Sequence, residues 1–223
     1  MGIEDQDREV ILREIYGRLL SAYGPQHWWP ADEPFEVIVG AILTQSTAWS
    51  NVEKAIANLK AACALSTAAL HQMPIDRLAR LIRPSGYYNA KARKLKAFVE
   101  RLLADYDSDL GKLFDLDTVS LRRELLSIHG VGEETADSII LYAARRPVFV
   151  IDAYTERILS RLGIAPPDQT YSAYQQLFTQ ELSPDEALFN EYHALLVRHG
   201  KDICRKIPRC DDCCLVPLCH HRA

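Results

Sequence analysis

The apolar residues of this 223-residue chain recur mainly at helical spacing, three and four positions apart. Pro and Gly fall between the helical segments, and few runs alternate apolar and polar residues. Two clear examples are the segments 133–143 and 152–162. Their inward stripes are Ala136, Ile139, Ile140 and Ala143 in the first and Ile158, Leu159 and Leu162 in the second. The pattern predicts an all-α protein.

The composition indicates a folded chain, because 48% of its residues are hydrophobic. The longest apolar stretches, 35–43 and 148–151, are too short to cross a bilayer. The first seven residues are acidic and lack the basic head and apolar run of a secretory signal. We therefore expect a cytoplasmic protein with no membrane partner.

The formal net charge is -4, so bulk charge cannot attract nucleic acid and any DNA-binding surface must be local. Two clusters of basic residues are candidates, although such runs are often only solvated faces. The clusters are Lys91, Arg93, Lys94 and Lys96 in the first half and Arg198, Lys201, Arg205, Lys206 and Arg209 near the end.

A glycine-rich turn separates two helical segments at Gly130, Val131 and Gly132. Two glycines around one apolar residue allow a tight turn and expose successive backbone amides at the start of the next helix. Those amides and the helix dipole favour an anion such as a DNA phosphate. The alternative is an ordinary turn between packed helices, and the turn alone does not decide between them.

Asp152 follows the short apolar stretch Val148–Ile151 and precedes a helical segment. One interpretation is a helix N-cap. The other uses the same position, because a helix N-terminus helps to keep a carboxylate ionised, ready to stabilise positive charge that develops on a sugar.

With these residues, the chain resembles the helix-hairpin-helix DNA glycosylases of the endonuclease III superfamily from about Trp28 to Cys219. The resemblance implies that Asp152 is the catalytic carboxylate and faces the hairpin across a DNA cleft. It would stabilise an oxocarbenium-like transition state and position the attacking water, after a damaged base has been flipped out of double-stranded DNA. Gln45 matches the residue that enters the DNA stack in place of that base. The implied DNA-binding residues are Gln45, Gly130, Val131, Gly132 and Thr135.

The same resemblance implies two helical lobes with the DNA cleft between them. Residues 29–138 form a six-helix, barrel-like lobe that carries the hairpin. Residues 1–28 and 139–223 form a second lobe, with Asp152 and a C-terminal cysteine cluster. We expect a monomer, because one flipped base needs one cleft.

The hairpin differs from that of the bifunctional relatives, which carry a lysine after the second glycine and use it to cleave the DNA strand through a Schiff base. This chain has Glu134 there, and no lysine occurs between Leu113 and Gly200. We therefore expect a monofunctional glycosylase with weak or absent lyase activity.

The aromatic residues near the N-terminus are similar to those of the 3-methyladenine DNA glycosylase branch. By that similarity the base pocket consists of Trp28, Trp29, Pro30, Trp49 and Lys201. An electron-rich slot suits an alkylated purine, whose positive charge gains cation–π stabilisation. The alternatives are that the tryptophans are core residues and that Lys201 contacts phosphate.

Five of the six cysteines lie within residues 204–219, and we expect the sixth, Cys63, to be a buried small apolar residue. The cluster matches the iron–sulfur loop of endonuclease III, which implies a 4Fe–4S cluster on Cys204, Cys210, Cys213 and Cys219. The first gap is one residue shorter than in the family, and Cys214 is an additional thiol. Zinc is the alternative metal.

Other functions stay open. An oxidised-pyrimidine glycosylase with lyase activity is the nearest, and Glu134 disfavours it. An adenine glycosylase for mispairs tolerates the missing lysine, but we expect it to need a further domain beyond Cys219. A noncatalytic DNA-damage binder would keep the hairpin and the cysteines. A ferredoxin-like electron carrier would use only the last tenth of the chain.

Overall fold

A computed structural model describes residues 5–221, and within that range it contains α-helices, short 3₁₀ turns and one π-helical segment but no strand. The all-α prediction is confirmed. The α-helices are α1 (Asp5–Tyr23), α2 (Pro34–Leu43), α3 (Trp49–Ala61), α4 (Thr67–Gln72), α5 (Ile75–Leu81), α6 (Tyr88–Tyr106), α7 (Leu110–Phe114), α8 (Thr118–Ser127), α9 (Glu133–Ser138), α10 (Ala153–Leu162), α11 (Tyr171–Glu181) and α12 (Glu186–Asp202).

The helices divide into two compact units. We call Trp29–Arg146 the hairpin unit, and Met1–Trp28 with Pro147–Ala223 the carboxylate unit. The predicted second lobe includes residues 1–4, 222 and 223, which lie outside the described residues. The predicted boundary after residue 138 falls inside one continuous helical run, because α9 passes directly into the π-helical segment Ile139–Ala143. That segment packs against α2, so the division comes later, between Arg146 and Pro147.

The hairpin unit is built around α2, which is buried over nearly its whole length. Pro34 occupies its first turn, where the missing N–H costs no helical hydrogen bond. The apolar stripe predicted for 133–143 is buried as expected.

The carboxylate unit has an aromatic core beneath α12, which packs against α1 and α10. Phe149 stacks on Phe178 with ring centroids 3.6 Å apart, and Phe189 and Tyr192 meet Phe149 edge-on. Phe149 belongs to the predicted apolar stretch, of which Phe149, Val150 and Ile151 are buried and lead straight into α10. Together these contacts fix the residue that starts α10.

Helix α10 has the predicted inward stripe, with Ile158, Leu159 and Leu162 buried. It packs against α12 at Gly200, where a Cβ atom would lie only 2.6 Å from the Cβ of Tyr154. Glycine at this position therefore lets the two helices approach closely.

The expected burial of Cys63 is wrong. Cys63 is exposed, because it lies just past the end of α3 in a left-handed conformation with φ 50°, where its backbone closes the helix. Within residues 5–221, the helices are all too short or too polar to cross a membrane.

Candidate active site

Asp152 is the N-cap of α10, and only 11% of its side chain is exposed. Its Oδ1 accepts hydrogen bonds from the Thr155 backbone N–H at 2.8 Å and the Thr155 hydroxyl at 2.9 Å. The N-cap interpretation is therefore confirmed. Oδ2 takes no part in the cap, so capping occupies only one oxygen of the carboxylate.

Two titratable side chains lie beside Asp152. His193 Nε2, from α12, is 3.8 Å from Asp152 Oδ2. Burial lowers the pKa of His193, and the negative charge of Asp152 opposes that shift. Glu156 lies one turn along α10, and its pKa is raised by burial and then by Asp152. The negative charge of Asp152 therefore influences the pKa values of both neighbouring side chains.

The hairpin joins α8 to α9 through residues 128–132. Gly130 has φ 84°, in the left-handed region that favours glycine, and Gly132 is the extended N-cap residue of α9. Val131 is buried between them. Glu134 is exposed in the first turn of α9. The tight turn predicted around two glycines is present.

Gln45 lies in the loop after α2 and is hydrogen-bonded to the hairpin. Its Nε2 donates to Gly130 O at 3.1 Å and to Thr135 Oγ1 at 2.9 Å. Its Oε1 accepts from Lys94 Nζ. The structure thus joins three of the five predicted DNA-binding residues in one network.

The first basic cluster is not one surface. Lys91 is buried, and its Nζ donates to Leu43 O at 2.9 Å and Ser85 O at 2.6 Å. Burial, and then the charge of Lys94, lowers its pKa to about 8. Its amine therefore ties the end of α2 to the turn before α6 instead of facing DNA. In the second cluster, the side chains of Arg205, Lys206 and Arg209 are exposed.

Aromatic residues of the hairpin unit form a small cluster. Trp29 meets Trp49 edge-on with centroids 5.0 Å apart, and Tyr142 is 5.1 Å from Trp29. Tyr142 belongs to the π-helical segment, a feature that helical spacing cannot distinguish from an α-helix. Pro30 is exposed next to Trp29.

Trp28 and Lys201 belong to the carboxylate unit, where Trp28 is half-buried and Lys201 is exposed near the end of α12. Of the five predicted pocket residues, the structure therefore brings Trp29 and Trp49 into contact within one unit. It adds Tyr142, which sequence reasoning missed.

Tyr87 is a second residue to which sequence analysis gave no role. It precedes α6 with φ 44°, and 75% of it is exposed. A bulky side chain at positive φ is uncommon, and a large aromatic residue this exposed is available to stack on a base. An aromatic residue directly after Gly86 in a turn is the only signal in the sequence.

The four predicted thiol ligands line one cavity of about 860 Å³, together with Arg161. None of the cysteines in the described range is in a disulfide, and Cys214 does not line the cavity. Within residues 5–221 no three His, Cys, Asp or Glu side chains converge closely enough to hold a single metal ion. The thiols therefore surround a space instead of meeting at a point.

Two side chains contact the sulfur atoms of this cavity. Arg161 Nη1 is 3.2 Å from Cys204 Sγ, and His199 Nε2 is 3.6 Å from Cys213 Sγ. The other ring nitrogen of His199 is 2.7 Å from the Tyr23 hydroxyl. Burial lowers the pKa of His199 to about 4, so the ring is neutral near pH 7.

Comparison with known families matches residues 39–184 to the HhH-GPD superfamily of base excision DNA repair proteins. The match covers more than half of the chain, including the second half of α2, the hairpin and Asp152. The chain belongs to the HhH-GPD superfamily. It is a base excision repair DNA glycosylase, an enzyme class that acts on N-glycosyl bonds.

HhH-GPD relatives resemble the chain over nearly its full length. It is 47% identical over 216 residues to a DNA repair glycosylase of Methanocaldococcus jannaschii, covering 96% of this chain and 98% of that protein. It is 29% identical over 189 residues to endonuclease III of Sulfolobus acidocaldarius, covering 84% and 82%.

Solved HhH-GPD structures share the fold. The H. pylori 3-methyladenine DNA glycosylase bound to 1,N6-ethenoadenine is 29% identical with a TM-score of 0.73, covering 87% of this chain and 97% of that one. A trapped covalent complex of endonuclease III with DNA is 22% identical with a TM-score of 0.82, covering 98% and 97%. The second similarity concerns the fold alone.

Proposed function

We propose that the protein is a monofunctional glycosylase that hydrolyses the N-glycosidic bond of an alkylated purine flipped out of duplex DNA. The observation that carries this proposal is the carboxylate of Asp152, nearly buried and held at Oδ1 by Thr155, with Oδ2 outside the cap. A fixed carboxylate in a low-dielectric site stabilises an oxocarbenium-like sugar more strongly than one in water. Asp152 supplies that negative charge and positions the attacking water.

The hairpin supports hydrolysis without strand cleavage. A lyase of this superfamily needs an amine to form a Schiff base with the sugar, and Glu134 stands where the family lysine would be. A carboxylate cannot make that bond. The expected product is an intact abasic site.

The aromatic cluster of Trp29, Trp49 and Tyr142 supports an alkylated purine as substrate. N-alkylation gives the base a positive charge, which aromatic faces stabilise. The same charge makes the base a good leaving group, so little general acid catalysis is required. The 29% identity to a 3-methyladenine DNA glycosylase bound to a modified adenine adds support. Trp28, Pro30 and Lys201 are the further pocket residues that we propose from the resemblance.

We further infer that DNA is held by the amides of Gly130, Val131 and Gly132, by Thr135, and by Gln45. Gln45 would enter the stack where the base has left. Exposed Tyr87 belongs to the same unit and offers a stacking surface. The enzyme would act as a monomer.

The donor set of the carboxylate unit fits a 4Fe–4S cluster. Four thiols line one cavity, and a structural zinc ion would need them to converge at about 2.3 Å from one point. Cys204, Cys210, Cys213 and Cys219 would hold the cluster. When bound, it supplies the metal–thiolate bonds that fix residues 204–219, and with them the exposed side chains of Arg205, Lys206 and Arg209.

The test uses duplex oligonucleotides that each carry one 3-methyladenine, one 1,N6-ethenoadenine or one oxidised pyrimidine. Each reaction is divided and analysed with and without hot alkali. Breaks on a purine duplex that appear only after alkali are expected. Breaks without alkali, above all on the oxidised pyrimidine, would contradict both the monofunctional assignment and the substrate. Binding without any cleavage would indicate a noncatalytic damage binder.

A further inference from the structure

The two oxygens of Asp152 have different surroundings. Oδ1 accepts both hydrogen bonds from Thr155, which fix the position of this one oxygen. The plane of a carboxylate pinned at one oxygen can still turn about that contact. A second contact at Oδ2 would fix the plane and therefore the direction in which the negative charge points.

His193 is placed to make that second contact. It projects from α12, and its Nε2 is 3.8 Å from Asp152 Oδ2, with 8% of its side chain exposed. The close approach of α10 and α12 at Gly200 keeps the two residues together. A separation of 3.8 Å is longer than a hydrogen bond, but catalytic hydrogen bonds are often long before substrate binds and shorten in the complex.

The charge state of the pair suits orientation. Burial lowers the pKa of His193, which favours the neutral imidazole, and a neutral ring can donate one N–H to Asp152 without cancelling the negative charge. Glu156, one turn along α10, adds negative charge near this carboxylate and cannot orient it by donating when ionised. A neutral donor at Oδ2 therefore preserves the charge that the reaction needs.

We propose that His193 is the positioning residue of Asp152, and that its Nε2–H holds Oδ2 while the glycosidic bond breaks. The inference rests on the proposed function, in which Asp152 is the catalytic carboxylate. It assigns His193 no contact with the substrate.

The test compares His193→Gln, His193→Asn and His193→Leu under single-turnover conditions on a duplex with one 3-methyladenine. The amide nitrogen of glutamine reaches about as far as Nε2, whereas asparagine is too short and leucine cannot donate. Leucine and asparagine should lower the rate constant roughly 10- to 100-fold, because a carboxylate misplaced by about 1 Å loses that much. Glutamine should restore most of the rate.

Affinity for a duplex with a tetrahydrofuran abasic-site analogue should stay unchanged in all three variants. Adding His193→Leu to Asp152→Asn should cause no further loss, since residues that act as a unit are not additive. A wild-type rate in the leucine and asparagine variants would overturn the inference. Equal losses of rate in all three variants would also overturn it, as would a double variant in which the two losses of rate multiply. If His193→Leu does not fold, the difference in rate between His193→Gln and His193→Asn tests the inference by itself. Full activity of Asp152→Asn would instead overturn the proposed function.

Discussion

Gln45 Nε2 donates to Thr135 Oγ1 at 2.9 Å, a contact between residues 90 positions apart in the chain. The same amide nitrogen reaches Gly130 O, so one side chain fastens the loop after α2 to both sides of the hairpin. Because amide groups are strong donors and acceptors, this network gives the loop and the hairpin one shared geometry.

Replacing Gln45 with alanine should weaken binding to a duplex with a tetrahydrofuran abasic-site analogue by about tenfold, or about 1.4 kcal/mol. The reason is the loss of both the side chain proposed to enter the stack and its contacts with the hairpin. Fluorescence anisotropy measures the affinity. Gln72→Ala is the control, since Gln72 is exposed at the end of α4 in the same unit. An affinity within twofold of the wild type would contradict the assignment.

Gly130→Ala should lower stability by at least about 1 kcal/mol, because φ is 84° there. In addition, a Cβ would lie 2.3 Å from Lys94 Cγ. Gly132→Ala is the matched control, because a Cβ at Gly132 meets no atom within 4 Å. Thermal unfolding of the two variants checks this difference. Equal thermal midpoints for the two variants would contradict the prediction, because the turn would then accept a Cβ at Gly130 without loss of stability.

Much of the fold could be predicted from the spacing of apolar residues. The stripes of 133–143 and 152–162 are buried as predicted, because burial of one helical face dominates helix packing. The division between the units could not be read this way. It depends on the π-helical segment Ile139–Ala143 packing against α2, which is a long-range contact.

The candidate site was only partly predictable. Asp152 as an N-cap and the glycine turn follow from local backbone chemistry. The roles of Tyr142 and His193 could not be predicted in this way, because their contacts with Trp29 and Asp152 depend on tertiary packing. Lys91 was misplaced in a surface cluster, since sequence alone does not reveal the two carbonyl oxygens that accept from its buried amine.

Lys91 should make stability depend on pH in the alkaline range. Its pKa is lowered from 10.5 to about 8 in the folded protein, so between these values the unfolded chain binds more protons. Stability therefore rises with pH through that window, by a contribution on the order of 3 kcal/mol. Denaturant unfolding at steps from pH 7.5 to 10.5 should show this rise for the wild type relative to Lys91→Met. Parallel curves for the two proteins would contradict the shift.

Cys213→Ser should abolish iron binding or greatly reduce it, whereas Cys214→Ser should not, because only Cys213 lines the cavity. Iron and zinc content of anaerobically purified protein, together with visible absorbance, distinguishes the two metals. One zinc per chain and no iron would contradict the 4Fe–4S proposal. Equal loss in both variants would make Cys214 a ligand.

The most direct test of the account is the single-turnover rate of Asp152→Asn on the lesion duplex that the wild type cleaves fastest. Asparagine is also a good N-cap, so α10 should keep its start while losing the negative charge. Asp185→Asn is the matched control, since Asp185 caps α12 in the same unit by accepting from the Leu188 N–H at 2.9 Å. We predict a rate at least about 100-fold lower for Asp152→Asn, unchanged DNA affinity and a wild-type rate for Asp185→Asn. A wild-type rate for Asp152→Asn would contradict the central claim that this carboxylate drives base removal.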